Sequence, residues 1–273
     1  HGLEGIRFIR ALHQHLLEDE QNLFQLTDEL QKLHGQLIES PLTLQVIGGH
    51  KLRDNLEAVL QTNWNPPTTT TSCAPQVEPN SMPVRQLWTT PSHVNFCAMS
   101  FSTVTYGHAD AAALTVLGYF LHNGYLNTAL RELGGAYGVG ASQESSLAAF
   151  RFFTSYDPHV QHTIEHFYQS VKWLLHGKHH KAELDRAILR AISEHDKSTS
   201  SSSAINNLCI NHAIGLNSES QSHFRRAIVA VSLDDLKRVA EDYLSPEKAN
   251  IVVVCPPSNK DIARELGLQH ISM

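Results

Sequence analysis

Two stretches of this 273-residue chain hold side chains whose types and spacing could do chemistry. The first is RELGGAYGVGAS, positions 131 to 142, in which Arg131 ends an apolar helical run and Tyr137 stands alone among Gly134, Gly135, Gly138 and Gly140. A guanidinium and a phenol projecting from a bare backbone can each donate a hydrogen bond to a carbonyl oxygen as charge develops on it. Gly134, Gly135, Ala136 and Gly138 would then be the backbone along which a peptide lies. The same residues also admit structural roles: Tyr137 as a turn aromatic packed on a sheet, Arg131 as a helix-end cation favoured by the dipole, and the glycines as points of close backbone approach. A phosphate-cradling loop is disfavoured by order, since nucleotide-binding glycines follow a strand and open a helix, whereas these follow a helix and enter a strand.

The second stretch is HTIEH, positions 162 to 166, with Glu241 further along the chain. Histidines at i and i+4 share a helix face and could bind zinc, with Glu165 activating a water and Glu241 as a third ligand. Helix arithmetic opposes this reading. Val160, Ile164, Phe167, Val171 and Leu174 form one buried stripe, and His162 and His166 lie roughly 190° to 230° from it, which points both imidazoles to solvent. Leu233, Leu236, Ala240, Tyr243 and Leu244 likewise bury one side of a helix from which Glu241 projects away. Two outward surfaces do not converge on one ion, and exposed imidazoles would lack the outer hydrogen bonds that orient metal ligands. No metal ligand is therefore expected in this chain. His176, His179 and His180 are expected in a solvated loop, where they could hold a transition metal adventitiously. Ser142 lacks the Gly-x-Ser-x-Gly elbow, and no Ser/His/Asp or Cys/His set stands out.

The elements that must position these residues follow from periodicity. Ile6, Ile9, Leu12, Leu16 and Leu17, then Leu23, Leu26, Leu30 and Leu33, predict a helical hairpin. PLTLQVIGGH reads as a strand and KLRDNLEAVLQT as a helix, together closing a first piece at 1–64. Pro, Thr and Ser dominate 65–83, which reads as a linker. The second piece, 84–273, opens on the strand HVNFCAMSFSTV, with Val94, Phe96, Ala98 and Ser100 alternating against their neighbours. A helix from Ala109 to about Leu130 follows, split at His122-Asn123-Gly124. The glycine strand, the strand LAAFRFFTSYDP, helices near 159–176, 181–196, 203–215, 219–230 and 233–244, and the strand ANIVVVCPP complete it. Strands separated by several helices indicate an α+β layer, a mainly antiparallel sheet packed against helices.

Composition narrows the class. Hydrophobic residues at 41% and charged residues at 18% describe a globular protein. The net charge of −6, with no basic block, argues against nucleic acid and mildly suits basic peptides. Four widely spaced cysteines read as buried thiols in a reducing compartment. No apolar run reaches the roughly 20 residues of a membrane span, and HGLEGIRFIRALHQH, an uncapped amphipathic helix, suggests a piece of a longer polypeptide rather than a signal peptide.

LNTALRELGGAYGVGAS resembles the C-terminal-half signature of pitrilysin/insulinase-type (M16) zinc metallopeptidases, and its Arg-Glu-x-Gly-Gly-Ala-Tyr-Gly form is closest to the presequence protease branch. GLEGIRFIRAL, FFTSYDP and LKRVAEDYLSPEKANIVVVCPP occur in the corresponding order there. The resemblance implies four related α+β domains in two halves that enclose a chamber, with 1–64 the end of the third domain and 84–273 the fourth. It implies a metalloendopeptidase that degrades unfolded peptides in an organelle matrix or bacterial cytoplasm. Zinc and the general base would lie in the N-terminal half, on an inverted His-x-x-Glu-His helix, while Arg131 and Tyr137 reach across to polarise the substrate carbonyl. The chain alone would be inactive. In the family the zinc helix precedes its domain's strands, whereas HTIEH follows FFTSYDP. A self-contained peptidase built on HTIEH and a non-catalytic peptide-binding module remain the alternatives.

Overall fold

The computed structural model describes residues 2–40, 56, 59–60, 82–196, 201–213 and 216–273. The chain divides into two compact units, His1–Pro79 with Thr199–Ile210 and Asn80–Ser198 with Asn211–Met273. In the first, α1 (Gly2–Glu18) and α2 (Glu20–Glu39) lie against each other. Asp19 separates them: its extended backbone ends α1, and its carboxylate accepts from the Gln21 N–H to cap α2. Neither helix buries a residue, and Ile6, Phe8, Leu17 and Phe24 are exposed. The strand read in PLTLQVIGGH lies outside the described residues. So do the following helix, apart from Leu56, Val59 and Leu60, and nearly all of the stretch at 65–83.

The second unit is a six-stranded sheet covered by helices. Its strands are β1 (Arg85–Thr89), β2 (Asn95–Ser102), β3 (Gly138–Glu144), β4 (Ala149–Asp157), β5 (Asn250–Cys255) and β6 (Gln269–Ser272), in the order β3-β4-β2-β5-β1-β6. The β3–β4, β4–β2 and β2–β5 pairings are antiparallel, and β1 runs parallel to both β5 and β6. This is the expected α+β architecture. Strands β1 and β6 were not legible in the sequence: RQLWT and QHIS are too short to show a period.

On β2 the helix-facing residues are Asn95, Cys97, Met99 and Phe101, and Phe96, Ala98 and Ser100 take the other face. Both faces of this strand are partly apolar. The larger side chains, Met99 and Phe101, meet the helices and join Phe150, Phe152 and Phe167 in one core. Cys97 and Cys255 are buried free thiols, and desolvation first, then Asp157, pushes Cys97 up to about 12.

Helix α3 (Ala111–Leu121) crosses this core and buries nine of its eleven residues, all but Thr115 and Tyr119, as a largely apolar helix must. The expected split at His122-Asn123-Gly124 is a change of winding rather than a break. The helix continues as an eleven-residue π-helix, His122–Glu132, in which the Leu133 N–H reaches back to the Thr128 carbonyl. Gly124 lies against the Trp173 indole, where any side chain would collide.

The remaining helices are α4 (Val160–His176), α5 (Lys181–His195), α6 (Ser201–Ala213), α7 (Ser218–Ala230), α8 (Leu233–Tyr243) and the short α9 (Ile262–Glu265). The α4–α5 connection differs from the solvated loop expected there. The His179 side chain is 2% exposed. Its Nε2 lies 3.1 and 3.0 Å from the Trp173 and Leu174 carbonyls, closing the end of α4, and its ring packs on Trp173. His180 caps α5 in a reciprocal pair with Glu183.

Candidate active site

The π-helix delivers Arg131 to its last turn, and two glycines then reverse the chain. Gly135 has φ +79°, a left-handed conformation that costs a side chain about 1 kcal/mol. A Cβ on Gly134 would lie 2.7 Å from the Leu130 carbonyl. The turn closes through Gly135 N–H to Arg131 C=O at 3.2 Å and Ala136 N–H to Leu130 C=O at 2.9 Å. This pair is one residue wider than a Schellman closure, as the wider π winding requires.

Ala136 is buried, and Tyr137 therefore turns outward, 76% exposed. Its N–H meets the Tyr156 carbonyl at 3.4 Å, and its ring stands edge-on to Tyr156 at 5.9 Å. Tyr156 has φ +51° and marks a bulge: between the pairs Asn95–Asp157 and Cys97–Thr154, β4 carries one residue more than β2. Asp157 holds this bulge to α4. Its carboxylate accepts from the His159 N–H at 2.9 Å and the Thr163 hydroxyl at 2.6 Å, while its carbonyl accepts from the Asn95 amide at 2.7 Å.

From Gly138 the chain becomes β3, the edge strand of the sheet. Gly138 and Gly140 leave room for the Ser155 hydroxyl and the Phe153 ring of β4 to lie over it. The glycine strand thus begins later than expected, because Gly134 to Tyr137 form the turn that leads into it. The N–H groups of Gly135, Ala136 and Tyr137 are all used within the chain.

Among the described residues, the Arg131 guanidinium forms no ion pair and the Tyr137 hydroxyl makes no hydrogen bond. Two strong donors, both exposed, thus leave the ends of one short turn at an open strand edge. A cavity of about 650 Å³ between Tyr106, Ser145 and Phe224 includes neither of them.

HTIEH behaves differently from its reading in one respect. His162 is exposed, but His166 is half-buried against the π-helix, where its Nδ1 lies 2.8 Å from the Tyr125 hydroxyl. The π-helix covers a second flank of α4 that the single apolar stripe did not reveal. Burial first, and then His162, push His166 below the usual histidine range. Glu165 accepts from the Gln169 amide at 2.8 Å, and Glu241 is exposed on α8. A catalytic zinc centre takes three protein ligands and keeps one position open. No group of three His, Cys, Asp or Glu side chains among the described residues is placed to hold an ion. The HTIEH residues therefore do not fit a catalytic zinc.

A family model described as the PreP C-terminal domain matches residues 85–257. The mitochondrial presequence protease of Yarrowia lipolytica is 31% identical over 179 residues, covering 65% of this chain and 18% of its own length. That of Mus musculus is 30% identical over 177 residues, covering 64% and 17%. The chain thus spans less than a fifth of the length of these relatives. Among solved structures, a peptidase M16 inactive domain from Pseudomonas fluorescens aligns with TM-score 0.59 at 17% identity, over 75% of this chain and 51% of that one. A protease from Helicobacter pylori aligns with TM-score 0.57 at 16% identity, over 74% and 52%. At such identities the likeness is one of fold. The sheet order, the Gly-Gly turn and the match over 85–257 come together in one conclusion: this chain belongs to the PreP C-terminal domain family and has the fold of M16 peptidase domains.

Proposed function

We propose that the chain is the C-terminal portion of a zinc-dependent peptidase, with 1–64 the end of its third domain and 84–273 its fourth. In this reading it contributes substrate-binding and oxyanion-stabilising groups to a chamber closed by an N-terminal half that holds zinc and the general base. The reaction is amide hydrolysis of unfolded peptides. An extended peptide adds to the open edge of β3, gaining main-chain hydrogen bonds without a sequence requirement. Gly134, Gly135 and Ala136 set the direction of the turn, and Gly138 begins the strand on which the peptide lies. Arg131 and Tyr137 donate to the scissile carbonyl oxygen as it becomes an oxyanion. The observation that carries the proposal is the pair of exposed donors at that edge, 76% exposure for Tyr137 with no hydrogen bond to its hydroxyl among the described residues. The relatives are named as mitochondrial proteases, which supports a mitochondrial site of action for this enzyme as well, and no helix among the described residues is long and apolar enough to cross a membrane.

Mixing tests the division of labour. The 273-residue chain alone is expected to leave an unfolded peptide uncleaved, and adding the N-terminal half is expected to produce cleavage. Cleavage by the chain alone would overturn the proposal, and its loss on adding a chelator would favour a self-contained peptidase built on HTIEH. A module that binds peptide without chemistry would use the same edge, and the hydroxyl of Tyr137 separates the two readings.

A further inference from the structure

The HTIEH motif has no part in the proposed peptidase reaction, yet its imidazoles are arranged with a chemistry of their own. The Nε2 atoms of His162 and His166 face each other at 2.9 Å, and the rings stand edge-on with centroids 4.2 Å apart. What distinguishes the pair from two surface histidines is the chain of hydrogen bonds behind it. The Glu165 carboxylate can only accept, so the Gln169 group 2.8 Å from it is the amide NH2. The Gln169 carbonyl oxygen then faces Tyr125 and accepts its hydroxyl proton at 2.9 Å. That hydroxyl has one proton, so toward His166 it is an acceptor, and Nδ1 of His166, 2.8 Å away, carries the hydrogen. The neutral ring is left with its lone pair on Nε2, directed at His162. Metal-binding imidazoles are oriented this way, by a hydrogen bond from the second ring nitrogen.

We propose that His162 and His166 form a two-imidazole clamp for a divalent transition ion of the imidazole-preferring class, Zn2+, Ni2+ or Cu2+. His166 is pre-set by Tyr125, Gln169 and Glu165, and the ion replaces the hydrogen shared between the two Nε2 atoms. The displaced hydrogen stays on His162, moving through solvent from its Nε2 to its Nδ1, so that the neutral ring presents its own Nε2 lone pair. The remaining positions on the ion belong to water, because no third side chain among the described residues converges there. Hard cations such as Mg2+ and Ca2+ are not ligands for this pair. The clamp is independent of the peptidase reading, and its test uses no peptide.

The experiment is calorimetric titration of the 273-residue chain with Zn2+, repeated on His162→Ala, His166→Ala, Tyr125→Phe and Gln169→Leu, with circular dichroism to establish folding. Each histidine variant is expected to lose one ion per chain relative to the unsubstituted protein. Tyr125→Phe keeps both imidazoles but removes the oxygen that holds the Nδ1 hydrogen, and loss of such an outer partner lowers affinity by about 10- to 100-fold. Gln169→Leu, at a half-buried position of α4, tests the same chain of bonds should Tyr125→Phe fail to fold. Long-range 1H–15N correlation of the imidazoles supplies a readout without metal, with His166 expected as the Nδ1–H tautomer. Unchanged stoichiometry in both histidine variants, or an Nε2–H tautomer at His166, would overturn the clamp. Unchanged affinity in a folded Tyr125→Phe or Gln169→Leu would reduce the pair to two adventitious surface histidines.

Discussion

Gly118 sits in the middle of α3, where a glycine costs helix stability, and the structure gives the reason it is there. A Cβ at this position would lie 2.9 Å from the Ala141 carbonyl oxygen, 3.0 Å from the Ser142 Cα and 3.3 Å from the Ala141 carbonyl carbon. Relaxed contacts between such atoms are about 3.5 Å, so the methyl would stand roughly half an ångström inside the backbone of β3. Backbone on both sides leaves no side chain to swing away. Overpacking of this kind costs about 1–3 kcal/mol, against a gain of about 1 kcal/mol in helix propensity for alanine, which puts Gly118→Ala at a loss of roughly 0–2 kcal/mol. Gly118→Val adds two more methyl groups and recovers less propensity, and its expected loss is about 2–3 kcal/mol, or roughly 4–12 °C in Tm for a unit of this size. The assay is denaturant unfolding of both variants, read as a lower midpoint with an unchanged slope. Because β3 follows directly from the turn that carries Tyr137, a displaced β3 is also expected to lower peptidase activity in the complete enzyme. An alanine variant about 1 kcal/mol more stable than the parent would mean that α3 and β3 are not in backbone contact.

Two further substitutions test local readings. His179→Ala removes the closure of α4 together with ring contacts to Trp173 and Phe120, and is expected to cost about 2–3 kcal/mol by denaturant midpoint; a loss within about 0.5 kcal/mol would restore the solvated-loop reading. Asp110 accepts from Arg238 at 2.6 Å and from Tyr243 at 2.8 Å, and the Arg238 hydrogen bond first holds its carboxyl below the usual range. A depressed carboxylate stabilises the fold above its unfolded value of about 3.9 and loses that contribution as pH falls through the lower folded value, so Asp110→Asn should flatten the stability profile below about pH 4 and leave its slope above pH 5 unchanged.

The apolar helices and the long strands were legible because their periods were undiluted: Val160, Ile164, Phe167 and Leu174 are all buried as their spacing required. That Arg131 and Tyr137 flank one turn was legible from the glycines between them, whereas their chemical role rests on the resemblance. What was not legible arose between elements. The inner face of β2 was decided by which side chains the helices accept, and neither face is polar enough to announce itself. The π winding of His122–Glu132 has no sequence period distinct from a continued helix, yet it places Tyr125 on His166 and withdraws that imidazole from solvent. His179 could not be read as buried, since only the close of α4 on Trp173 gives it a carbonyl to meet.

In the proposed reaction the Tyr137 hydroxyl acts on the substrate and holds nothing in the fold. The measurement is kcat of Tyr137→Phe in the complete enzyme, with the Tm of the same preparation. The expected Tm is unchanged, because the hydroxyl has no partner among the described residues and the ring contact to Tyr156 survives. The expected fall in kcat is about 10²- to 10³-fold, the usual consequence of losing one oxyanion donor. Full turnover by a folded Tyr137→Phe enzyme would contradict it, and would leave this domain a surface that binds peptide but takes no part in the chemistry.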